Sequence, residues 1–177
     1  IIDFAEENKE NNYKYLIIGK GKNDYILNIK KEISKRNLQD IIKIEEFKPY
    51  KDLHKYLSIA DICLAPFKIT STTNVMEVGK IITYLLMGKK VLATRAKGVE
   101  SLYKKNINYY ENEDYNDFKN KLNKIILDKS YKFDSNKRRK FAEKFDFKKI
   151  IDTEYKIVEE ALKNNSNKST NFEKYDF

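Results

Sequence analysis

Apolar residues recur along the chain in two rhythms that take turns. Short, almost continuous runs at 13–19 (YKYLIIG), 41–47, 62–67 and 90–94 predict strands buried on both faces. Between them, apolar residues return every three or four positions, the spacing of one helix face. Such stretches predict helices over 24–38 (Ile26, Ile29 and Ile33 aligned) and over 50–60 (Leu53, Tyr56, Leu57 and Ala60 on one side). A polar loop at 69–74 leads to a helix over 75–87 that Gly88 closes. A weaker strand follows at 107–110, and helices at 115–127, 137–144 and 147–162 finish the pattern, the last with Ile150, Ile151, Val158 and Leu162 as its buried stripe. Strand and helix in alternation predict an α/β fold, a parallel sheet of about five strands with helices on both faces. Residues 1–163 form one domain on this reading, and the Asn/Ser/Lys-rich residues 164–177 a mobile tail.

Composition narrows the picture. A chain of 177 residues, 41% apolar with thirteen Tyr and ten Phe, can bury a core, which excludes global disorder. The apolar runs fall far short of the roughly 18 residues a bilayer crossing requires, so a soluble protein is expected. One cysteine, Cys63, excludes an internal disulfide and a cysteine-based zinc site and points to a reducing compartment. Its place in an apolar strand makes it a small core residue. The formal charge of +9 is spread among Glu, Asp and Asn and reads as a general lysine habit more than a basic stripe; no specific nucleic acid is expected. The cluster Lys137, Arg138, Arg139, Lys140 points in different directions on a helix and reads as a solvated face.

In open parallel sheets, ligands bind beyond the carboxyl ends of the strands. Two loops there carry candidate chemistry. Gly19-Lys20-Gly21 closes a strand tightly enough for backbone to approach a ligand, and the run Thr70 to Asn74 feeds a helix whose first amides lack intrahelical acceptors. Free amides and the helix dipole attract an anion, and Lys80 adds a point charge. Other sites fail on spacing. A dinucleotide fingerprint needs a glycine where Asp24 stands, and no Gly-Lys-Ser/Thr loop is present. His54 is the lone histidine, with no second ligand at metal spacing, and reads as surface; no metal site and no catalytic residue emerge.

Three blocks resemble the C-terminal lobe of family 4 type glycosyltransferases, the nucleotide-sugar half of a GT-B enzyme. Residues 15–21 (YLIIGKG) look like that family's strand and glycine turn. Residues 41–67 (IIKIEEFKPYKDLHKYLSIADICLAPF) are similar to its next strand, loop, helix and Ala-Asp-x-x-x-x-Pro run. Residues 79–94 (GKIITYLLMGKKVLAT) look like its donor-site helix, typically Lys-x-x-Glu-Tyr-Leu-Ala-x-Gly-Lys-Pro-Val, followed by a turn at Gly98-Val99-Glu100. The likeness covers about residues 1–162 and implies a Rossmann-like lobe. It implies a UDP- or GDP-linked sugar as substrate, without a metal or other cofactor. By the same resemblance the base lies near the backbone of Phe47 and Lys48, the diphosphate near Gly19, Gly21 and the amides of Val78, Gly79 and Lys80, and the ribose near Thr83.

What the likeness implies for the whole is transfer of a hexose to a glycan or lipid acceptor, cytoplasmic, with peripheral membrane association of the parent. The lobe's first strand and the acceptor-binding lobe are expected before Ile1, so the chain by itself is expected to be inactive. Departures stand against activity. Thr83 occupies the place of the family's ribose-holding glutamate, Val75 that of its partner, Lys90 that of a proline and Glu46 that of a glycine. A hydroxyl cannot grip two ribose hydroxyls as a carboxylate does. Two other readings stay open: a non-catalytic Rossmann-like module binding a protein, an anionic membrane or nucleic acid, and a nucleotide-metabolising enzyme with Glu45 or Glu46 on the ribose.

Overall fold

The computed structural model describes residues 1–128 and 131–169, the side chains of 131–133, 147 and 164–169 excepted. The backbone divides into two units, residues 1–60 and 61–177. Among the described residues five strands pair in parallel, two in the first unit and three in the second.

The first unit runs α1 (Ile2–Glu7), β1 (Tyr15–Ile18), α2 (Asn23–Lys35), β2 (Ile42–Glu45) and α3 (Tyr50–Ser58). Strands β1 and β2 pair Tyr15 with Ile42 through Ile18 with Glu45. Ala5, Ile33, Leu38 and Ile42 form the buried core under them. Helix α2 stops because Asn37 takes a positive φ of 54°, a conformation Asn tolerates, and the next amide, Leu38, turns back to the Ile33 carbonyl at 3.0 Å. Arg36 then ties α2 to α1, reaching Asp3, Glu6 and Glu32 at 2.7–2.8 Å.

The second unit contains β3 (Ile62–Ala65), α4 (Gly79–Leu86), β4 (Lys90–Thr94), α5 (Lys97–Tyr103), β5 (Asn108–Tyr110), α6 (Tyr115–Leu127), α7 (Tyr131–Ala142) and α8 (Phe147–Ser169). Its sheet order is β3-β4-β5, and every residue of the central β4 is buried. Ile81 and Leu85 of α4 meet Val91, Ala93, Val99 and Tyr103 in the main core. Gly88 ends α4 with φ +69°, and a side chain there would meet Arg139 Nε at 3.1 Å and Ser135 Cβ at 3.2 Å, so α7 lies close against the cap. Lys90, only 6% exposed, caps the C-terminal end of α6, donating to the carbonyls of Ile125 (3.1 Å) and Asp128 (2.6 Å) and pairing with the Asp128 carboxylate (2.9 Å).

Several sequence expectations shift. Helix α4 begins at Gly79, four residues later than the spacing predicts, because the polar run before it makes its own turns. Helix α7 starts at Tyr131, before the expected Lys137, and its Arg138 is no solvated side chain: its Nε donates to the Gly88 carbonyl at 2.9 Å. The α8 stripe is not buried either, with Ile150, Val158 and Leu162 38%, 56% and 64% exposed. Helix α8 continues over 164–169, the first part of the expected tail, while 170–177 lie outside the described residues. Among the described residues, no helix is long and apolar enough to cross a membrane.

Candidate functional site

The loop from β3 to α4 gathers at the carboxyl rim of the three-stranded sheet. Thr94 Oγ1, at the end of β4, accepts the Phe67 amide (3.0 Å) and donates to Tyr110 Oη at the end of β5 (2.9 Å). The Ile69 amide reaches Asn112 Oδ1 at 3.0 Å. Beyond it, the Thr70 and Thr73 side chains each accept the other's amide, at 3.1 Å and 2.7 Å, while Thr73 Oγ1 donates to the Lys68 carbonyl (2.7 Å). The Asn74 amide returns to the Thr70 carbonyl at 3.0 Å and the Val75 amide to that of Thr72 at 3.3 Å. These local bonds compete successfully with helix formation. They also use up the amides of Thr70, Thr73, Asn74 and Val75.

At that turn Val78 is the cap residue, with its side chain buried, no side-chain cap bond and its carbonyl accepting the Ile81 amide at 2.9 Å. The amides of Gly79 and Lys80 follow, in positions that have no intrahelical acceptor. A Cβ added at Gly79 would meet nothing within 4 Å, and the residue is exposed, so its α-carbon borders open space. Lys80 is solvent-accessible, yet neighbouring protein atoms desolvate its ammonium and lower its pKa from the ordinary lysine value. Thr83 stands one turn in, half-buried, beside Tyr84, whose phenol burial pushes up to about 12.

The first unit places its predicted residues separately. The Gly19 amide is committed to the ladder, donating to the Glu45 carbonyl at 3.2 Å, so it offers nothing to an anion. Gly21 packs over Ile26, where a Cβ would lie 3.3 Å from Cγ1. Phe47 is 66% exposed. Lys48 reaches Glu45 at 3.0 Å and lies 5.5 Å from the Tyr56 ring centroid. Hydrogen bonds from Lys43 and Lys48 hold the Glu45 carboxyl below its usual pKa, and the same contact raises that of Lys48. A cavity of about 320 Å³ beside Gly19 carries Glu45 and Glu46 against a single Lys30, the wrong sign for pyrophosphate.

Sequence reasoning named Asn74 only as the end of a polar run and Gly98 only as part of a turn, and passed over Tyr103; these three hold the α4 entry in place. Asn74 was legible as a capping residue type, whereas Gly98 and Tyr103 act through tertiary contact alone. His54 is exposed and Cys63 buried, its thiol pushed up to about 12 by desolvation. Among the described residues, no group of three or more His, Cys, Asp or Glu is placed to hold a metal ion.

All-parallel strands flanked by helices are the elements of a Rossmann-like half of a GT-B fold. Residues 1–145 match the family described as Glycosyl transferases group 1, and the chain belongs to that family. Among solved structures, HepE from Anabaena in complex with UDP superposes with a TM-score of 0.68 at 19% identity, over 92% of this chain and 44% of that one. Sucrose-phosphate synthase from Thermosynechococcus elongatus gives 0.74 at 16% identity (92% and 42%), and a glycosyltransferase from Rickettsia africae 0.73 at 19% (92% and 44%). The chain thus spans less than half the length of these relatives in fold. No curated protein matches it in sequence.

Proposed function

We propose that the chain is the donor-binding lobe of a glycosyltransferase that moves a hexose from a nucleoside diphosphate sugar to a glycan or lipid acceptor in the cytoplasm. The observation that carries this is the first turn of α4, where Gly79 presents open backbone at the sheet's carboxyl rim with Lys80 beside it. In glycosyl transfer from such a donor, negative charge grows on the leaving diphosphate as the sugar becomes cationic. Fixed amides and an ammonium aimed at that charge stabilise the transition state without a metal, each charge-assisted bond contributing about 1.5–3 kcal/mol. Thr83 takes the ribose side of the helix as a single hydroxyl, which weakens the grip on the nucleoside. Similarity in fold to a protein crystallised with UDP favours uridine over guanosine.

Calorimetric titration with UDP, UDP-glucose and GDP tests this reading. Saturable binding of UDP, unaffected by EDTA and stronger than that of GDP, supports it; no heat with any of them at millimolar concentration overturns it. A second reading, a module that binds polyanions without catalysis, is favoured by an open cleft of about 430 Å³ lined by Lys105, Lys121, Lys124 and Arg138 together with Asp128 and Asp134. Such binding weakens steeply with salt and ignores the base, whereas a nucleoside pocket discriminates between bases.

A further inference from the structure

We infer that Tyr103 is a positioning residue for the diphosphate-binding turn, and that α5 serves as a brace which fixes where the Gly79 amide points. The inference rests on the donor reading above for its ligand, but its geometry is independent of it.

Helix α4 has only eight residues, and its cap residue Val78 makes no side-chain bond that would set the entry angle. From within the helix only the Ile81 amide holds the Val78 carbonyl, at 2.9 Å, so any further hold on its direction comes from outside. Helix α5 supplies it at both ends of the approach. At the near end, the Asn74 side-chain oxygen accepts the Lys97 amide (3.1 Å) and its carbonyl accepts the Gly98 amide (2.8 Å), so the first turn of α5 holds the start of the segment. Between them, Gly98 packs so close that an added Cβ would stand 2.7 Å from the Val75 carbonyl carbon and oxygen. At the far end, the last residue of α5, Tyr103, donates its hydroxyl to the Val78 carbonyl at 3.1 Å.

That last bond matters because the Val78 carbonyl and the Gly79 N–H belong to one planar trans peptide and point in opposite directions. Holding the oxygen aims the hydrogen. Tyr103 is completely buried, with its ring among Phe141 (6.5 Å between centroids) and Phe145 (6.2 Å), so the hydroxyl is delivered from a rigid support. A preorganised donor of this kind costs nothing to reorient when charge develops on the ligand.

The test is Tyr103→Phe in the full chain, which removes the hydroxyl and leaves the ring. Tyr109→Phe is the control: it removes a hydroxyl bonded to the Lys104 carbonyl at 2.6 Å, outside the brace. Amide NMR without ligand should show the Gly79 and Lys80 resonances shifted in Tyr103→Phe alone, with the urea midpoint little changed. UDP affinity should fall about tenfold in Tyr103→Phe, as for loss of one well-aimed donor, while affinity for uridine, which lacks the diphosphate, stays within twofold. Unchanged Gly79 and Lys80 amides would overturn the brace. Shifted amides with unchanged UDP affinity would overturn its role toward the diphosphate. Failure of the unaltered chain to bind UDP would sink the donor reading, and the amide measurements would still decide whether the brace exists.

Discussion

Gly98 and Gly79 are the same residue type with opposite reasons to be glycine. A methyl at Gly98 would sit 2.7 Å from main-chain atoms of Val75, which cannot yield without moving the loop, whereas at Gly79 it meets open space. Gly98→Ala should therefore lower stability by about 1–3 kcal/mol in urea denaturation, the usual cost of overpacking. Gly79→Ala should be neutral or stabilising by up to about 1 kcal/mol, because its main effect is on the unfolded chain. Cys63 gives a prediction in pH. Its folded thiol titrates at about 12, above the 9.0 of an exposed thiol, so the folded state holds its proton where the unfolded state loses it. Its contribution is complete below pH 9.0 and falls away as pH rises toward 12, by up to about 1.4 kcal/mol per pH unit. Tyr84, raised to about 12, adds loss in the same direction above pH 10. Cys63→Ala should flatten the alkaline limb of a stability-versus-pH curve measured by denaturant titration.

At the scale of elements, helix starts and stops were the least legible features. Residues 75–78 were expected to open the α4 helix, but the polar run before them makes its own turns through the hydroxyls of Thr70 and Thr73, and the helix waits until Gly79. The end of α4 was readable because a positive φ at Gly88 is a local requirement. Helix α8 shows the limit of periodicity. Ile150, Val158 and Leu162 form a helical stripe, yet that pattern says only that one side of the helix is greasy and not that anything packs on it. Leu85→Ala, in the core of α4, should cost about 2–5 kcal/mol, while Leu162→Ala should stay within about 0.5 kcal/mol by thermal denaturation. Equal losses would mean that α8 is packed.

For the molecule as a whole, ligand linkage provides the broadest check. If UDP binds the folded chain alone, a concentration one hundred times its Kd should stabilise the protein by about 2.7 kcal/mol, seen as a rise in Tm, with GDP giving less. By itself the sequence determined the strand and helix order, the parallel pairing, the membership of Lys80 in a helix and the lack of a carboxylate at Thr83, because these follow from local spacing and residue identity. Only the tertiary structure decided which amides remain available to a ligand. Gly19, Thr70, Thr73, Asn74 and Val75 also carry amides near the rims of the sheets, and they lost that role to acceptors placed by the ladder, by neighbouring hydroxyls and by the loop's own carbonyls. A backbone N–H carries no identity of its own, so its chemistry is set by which acceptor the folded chain places in front of it.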